Sequence, residues 1–140
     1  MYQEVTCNEQ LLALIIRHTY QHEGISFFTP PSYSQQLGYM RHQPGHVIEP
    51  HTHKTVIREV TKTQEVLFIR KGRLQVDFYS NDRIFQQSEI LEAGDVLLLA
   101  AGGHGFTVLE EVEMFEVKQG PFAGVNDKER FTPTPRYNEP

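Results

Sequence analysis

Between residues 65 and 118 the chain is a run of six short apolar segments: EVLFIR, GRLQVDFYS, RIFQQSEIL, DVLLLA, HGFTVLE and VEMFEVK. They are joined at Lys71-Gly72, Asn81-Asp82, Glu92-Ala93-Gly94, Gly102-Gly103 and Glu110-Glu111, all of turn composition. Segments this short and this closely spaced leave no room for the crossover connections that parallel strands need. The chain is therefore expected to be all-β, an antiparallel sandwich or small barrel. Leu74, Val76 and Phe78 alternate with Gln75, Asp77 and Tyr79, the mark of a strand with one buried face.

The first twenty residues read differently. Thr6 or Asn8 is a suitable N-cap, and Leu11, Leu12, Leu14, Ile15 and Ile16 crowd together between Gln10 and Arg17, which predicts a short helix over residues 8–20. From residue 24, Pro30, Pro31, Pro44 and Pro50 with Gly24, Gly38 and Gly45 cut the chain into extended pieces such as ISFF and LGYM. The 140 residues are expected to form one domain: an N-terminal helical cover over 1–23, a barrel over 24–120 and a C-terminal extension over 121–140. The end of that extension, TPTPRYNEP, is Pro-rich and polar, either disordered or laid extended across a neighbour.

Charge and cysteine content exclude several function classes. A formal net charge of −5 supplies no basic field for a phosphate backbone, so nucleic acid is not an expected partner. Leu11 to Ile16 and Val96 to Ala101, the longest apolar runs, are too short to cross a bilayer, and the N-terminus has no secretory pattern, so no membrane association is expected. Cys7, the one cysteine, has no disulfide partner and agrees with a reducing, cytoplasmic setting.

Seven histidines stand out, at positions 18, 22, 42, 46, 51, 53 and 104. If PHTHK is extended, His51 and His53 project from one face and can share one ion. Glu65 is the one acidic residue of EVLFIR, and by alternation it shares a face with Leu67 and Ile69, where a carboxylate is costly unless paired or metal-bound. The alternatives for Glu65 are a solvated strand mouth or a pair with Arg58 or Lys62. His104 opens a strand on whose face Phe106 and Val108 also lie. His42 and His46 are candidates for an outer shell around such a site, and His18 and His22 fall on or just beyond the predicted helix, unrelated to it.

The stretch from Gly45 to Val108 resembles the cupin superfamily. Gly45, five residues, His51-Thr52-His53, then Glu65, six residues and Gly72 follow the first cupin motif. Gly94, Gly102 and His104 follow the second. The resemblance implies a double-stranded β-helix, the cupin jelly-roll barrel, holding one divalent ion on His51, His53, Glu65 and His104. Eleven residues separate His53 from Glu65, far more than the family's usual gap, so KTVIREVTKTQ must loop out, and Glu59 competes as the carboxylate ligand. Ala100 replaces the usual Pro of the second motif, one residue fewer precedes His104, and Val108 replaces its Asn. EVKQGPFAGVNDKERF is similar to the ending of the WbuC-like cupins of polysaccharide gene clusters. That similarity implies a role for Lys118, Gln119, Gly120, Pro121, Asp127 and Lys128 in dimer contact or in closing the barrel mouth.

Imidazoles with one carboxylate suit Fe, Mn, Ni, Co, Zn or Cu without choosing among them. Ligands on one side of the ion leave open positions, the mark of a catalytic site. The expected activity is a metal-dependent oxygenase or isomerase acting on a small oxygenated or sugar-like substrate, with His51, His53 and Glu65 as the catalytic candidates. Two other classes stay open: a metal-free sugar-nucleotide isomerase or epimerase using the HxHK pair as acid and base, and a non-catalytic binding or metal-sensing barrel. Arg41, Arg58, Phe106 and Lys118 are the candidate substrate contacts. Because both faces of EVLFIR are apolar, its outer side needs a cover, and the cupin resemblance points to a homodimer.

Overall fold

Asn8 and Glu9 reverse the chain where a helix is predicted to begin. In the computed structural model, which describes residues 1–134, β1 (Tyr2–Cys7) and β2 (Gln10–Ile16) form a hairpin. Cys7 pairs with Gln10 across a two-residue loop whose φ angles, 49° and 64°, are both positive, as a type I′ turn requires. The helix over 8–20 is thus corrected to a strand hairpin. Leu12 to Ile16 are all buried, on both faces of the strand. An unbroken apolar run of that length has no period to tell a buried strand from a buried helix.

A two-stranded sheet follows, β3 (Gly24–Phe27) with β4 (Gly38–Arg41). Aromatic contacts tie this part of the chain to the first strand: Phe28 stacks on Tyr2 at 5.2 Å and meets Tyr20 edge-on at 5.1 Å. Residues 42–64 carry no regular strand, in keeping with a segment that loops out before Glu65. The main sheet resumes with β5 (Glu65–Tyr79), β6 (Phe85–Glu92), β7 (Val96–Leu99) and β8 (Gly103–Lys118). All its pairings are antiparallel, in the order β1-β2-β7-β5-β6, with β8 on the other edge of β5.

Two of the expected turns are corrected. Lys71-Gly72 and Glu110-Glu111 do not reverse the chain; they are irregularities inside two long strands, where the β5–β8 register shifts between Ile69 and Leu74. Gly72 has φ 89°, and a Cβ there would run into the carbonyl oxygen of Glu111. Here β5 bends. Glu92-Ala93-Gly94 is a turn, with the Asp95 N–H on the Glu92 carbonyl at 3.0 Å, but it makes a jog and not a hairpin, since β6 and β7 run the same way along one edge of β5.

The bend is strong. Leu99 pairs with Glu65, whereas Gly103 pairs with Tyr79 at the other end of β5. Four residue steps reach at most about 14 Å, but β5, 15 residues long, would span about 46 Å if it were straight. The two ends of β5 must therefore curl toward one another, and the antiparallel sheet becomes a half-barrel. Its concave side holds the core of Val5, Leu12, Ile15, Leu67, Ile69, Leu74, Val76, Phe78, Leu91 and Leu97. Among the described residues no helix is long and apolar enough to cross a membrane. The last six residues of the predicted C-terminal extension, 135–140, lie outside the described residues.

Asp95, 1% exposed, clamps the jog to the end of β2. Its carboxylate accepts from the Glu92 and His18 backbone N–H groups at 2.8 Å each and from the Arg17 guanidinium at 3.2 Å. Burial alone would raise its pKa, but these hydrogen bonds win and hold it below the ordinary carboxylate value. His18 is thus a structural partner of Asp95 and does not lie on a helix. Asp95→Asn is expected to cost about 3 kcal/mol in denaturant melts. The stability from the lowered pKa is complete above the unfolded value of about 3.9 and is lost as the pH falls below it, so the variant should show a flatter acid limb. Glu9→Gly removes a side chain from a left-handed position and is expected to stabilise by about 0.5 kcal/mol, read as a raised Tm.

Candidate functional site

Alternation along β5 turns Glu65 to the same concave face as the buried Leu67 and Ile69. Across the β5–β8 ladder Lys118 lies opposite Glu65, and Glu116 opposite Leu67. At the far end of the ladder His104 pairs with Phe78, Phe106 with Val76 and Val108 with Leu74, so these three share the concave face too. The curl of β5 then brings its two ends together: His104 Nε2 lies 3.4 Å from Glu65 Oε2. Glu65, Leu99, His104, Phe106, Glu116 and Asp127 line a cavity of about 320 Å³ at this point.

The charges in this cavity are ordered by their contacts. A hydrogen bond from His104 lowers the Glu65 pKa against the opposing effect of burial, with further help from the His104 and Lys118 charges and from a hydrogen bond with Glu116. Glu116 moves the other way: burial raises its pKa, and the neighbouring Glu65 charge raises it further. Glu65 therefore carries the negative charge, and Glu116 keeps its proton to higher pH. Lys118 Nζ pairs with Asp127 at 2.6 Å, which raises the lysine pKa and lowers that of the aspartate.

The other candidates lie elsewhere. His51 and His53 are exposed in the 42–64 segment, their rings 5.4 Å apart, and His51 Nδ1 bonds to the Glu49 carbonyl at 2.8 Å. His42 and His46 stack with ring centres 4.1 Å apart, and the buried Nε2 of His42 has no hydrogen-bond partner. Arg41 at the end of β4 pairs with Glu23 at 3.6 Å, and Arg58 is exposed in the same segment as the histidine pair. Glu59 lines a separate cavity of about 430 Å³ with Tyr33, Ser34, Lys62 and Gln64. Of the two competing carboxylates, Glu65 is the one beside a candidate histidine.

The metal reading can be tested on these positions. His104 and Glu65 have the right donor chemistry, yet no contact joins His51 or His53 to them. Among the described residues no group of three or more His, Cys, Asp or Glu side chains is placed to hold an ion. Of the four expected ligands, the structure brings Glu65 and His104 together. Glu116 was not among the residues singled out from sequence; its signal was its place in VEMFEVK, on the strand face that also carries Met114 and Lys118.

Comparison of the chain with protein-family models, with curated proteins and with solved structures returns no match.

Neutralising Glu65 removes the charge that helps keep Glu116 protonated. In Glu65→Gln the Glu116 carboxyl is expected to titrate closer to its ordinary value, followed by carbon NMR of labelled glutamate. An unmoved Glu116 titration would show that the two carboxyls do not interact.

Proposed function

We propose that this chain is a barrel enzyme of isomerase or epimerase type that moves a proton on a small oxygenated or sugar-like molecule without a bound metal. The observation that carries this reading is the contact between His104 and Glu65 inside the cavity, with Glu116 as a second carboxyl beside them. Two carboxyls whose pKa values are pushed apart suit opposite roles in proton transfer. Glu65, ionised, takes a proton from carbon next to a carbonyl. Glu116, holding its proton longer, gives one to the carbonyl oxygen, and His104 orients Glu65 and binds hydroxyls. Phe106 walls the same space.

On this reading the half-barrel is a cupin-type barrel, and the chain works as a cytoplasmic homodimer. Support for a second subunit comes from the convex side, where Phe68, Phe115 and Val117 are 42%, 58% and 57% exposed. Apolar neighbours in that number call for a cover.

Deuterium incorporation from heavy water into aldose and ketose phosphates, followed by proton NMR, tests the activity. Exchange is expected with the purified protein, reduced at least about a hundredfold in Glu65→Gln and His104→Ala and unchanged in His51→Ala and His53→Ala. An equimolar divalent ion in the purified protein, lost together with activity in the His51 and His53 variants, would overturn the metal-free reading in favour of the four-ligand centre.

A further inference from the structure

The segment from Asp127 to Thr134 is fastened beside the Glu65–His104 cavity at several independent points. Asp127 pairs with Lys118 on β8, and Glu129 pairs with Arg83 at 3.2 Å. The Arg83 guanidinium lies 5.2 Å over the Phe131 ring, which meets Tyr79 edge-on at 5.3 Å. Phe131 also rests on Gly103, where a Cβ would come within 2.7 Å of the ring. Thr134 N–H closes the attachment on the Arg83 carbonyl at 2.9 Å.

This fastening borders an open cavity of about 610 Å³ between the segment and the start of β8. Both cavities are lined by Gly102, His104, Phe106 and Lys128, so they meet at the histidine. Their chemistry differs. The first carries the carboxyls of Glu65, Glu116 and Asp127, whereas the second has aromatic walls from Tyr79 and Phe131 and the cation Arg130, with Phe106 and Lys128 shared between the two. Its one carboxylate, Glu129, is held by Arg83, and neither Lys128 nor Arg130 forms an ion pair among the described residues.

We propose that the two cavities are one bipartite site, in which Lys128 and Arg130 bind the carboxylate or phosphate of a ring-bearing substrate while its hydroxyls meet His104 and Glu65. The proposal rests on the proton-transfer reading for the role of the first cavity. The carboxyls set the direction of binding, because an anion in the first cavity would face Glu65, Glu116 and Asp127, whereas the second adds Arg130 to the shared Lys128. Aromatic walls accept the flat or C–H face of a ring, and Gly105 leaves room where a side chain would stand.

Calorimetric titration with two matched probe pairs tests it: glucose 6-phosphate against glucose, and 4-hydroxybenzoate against 4-hydroxybenzamide. Each anion is expected to bind about tenfold or more tightly than its neutral partner, less so at high salt because the cations are exposed. The double variant Lys128→Gln, Arg130→Gln should lose that preference, and Lys128→Arg with Arg130→Lys should keep it. Equal binding of anion and neutral partner, binding of neither anion, or a preference that survives in the glutamine variant overturns the inference. A preference that depends on Lys128 and Arg130 in a protein showing no deuterium exchange would leave the bipartite anion site standing and overturn the proton-transfer reading instead.

Discussion

The short connection from Leu99 to Gly103 is the constraint on which the molecule turns. It joins a strand paired at one end of β5 to a strand paired at the other, so β5 has to curl until its ends nearly meet. The bend is possible because Gly72 adopts a conformation and a backbone approach that a side chain would block. Gly102 serves the connection itself: a Cβ there would collide with the Tyr79 carbonyl oxygen. Without the curl, Glu65 and His104 would lie a whole strand length apart.

The same curl explains how a carboxylate can sit on the concave face of a mostly apolar strand. An isolated charge there would be strongly disfavoured, but the returning end of the sheet delivers an imidazole to it, and β8 delivers Glu116 and Lys118 from the side. The apolar core, from Val5 to Leu97, stays on the same concave side and keeps the sheet in place. Site and core are thus successive stretches of the same strand faces, with the polar residues at the ends of β5 and the apolar ones between them.

Much of this was legible in the sequence, and what was not has identifiable causes. The all-β class and the faces of Glu65 and His104 follow from two-residue alternation, which is a local property. The N-terminal strand is not legible because QLLALII is apolar at nearly every position and so has no period to tell a strand from a helix. Lys71-Gly72 has the composition of a turn, and only the carbonyl of Glu111, distant in sequence but adjacent across the β5–β8 ladder, makes it a bulge. The spacing of His51 and His53 is a strong motif signal, yet spacing along an irregular segment does not fix where that segment lies. Glu116 went unnoticed because a charged residue alternating with Phe115 and Val117 reads as the solvent side of an ordinary amphipathic strand.

In the second half of β8 the usual polarity is inverted: Glu116 and Lys118 face the concave side, and Phe115 and Val117 point outward beside Phe68. An inverted strand is unfavourable in isolation on both counts, since it turns charge toward the apolar side of the sheet, even though Glu116 itself stays exposed there, and it leaves apolar surface outside. Each half of the inversion therefore asks for something to offset it. Inside, the carboxyls are offset by His104 and Lys118, which makes the cavity a place of ordered charge instead of a hydrophobic core. Outside, Phe115 is partly covered by the Arg70 guanidinium, 5.1 Å over its ring, while Phe68 and Val117 stay exposed on the same face of the strand that sets the chemistry of the cavity.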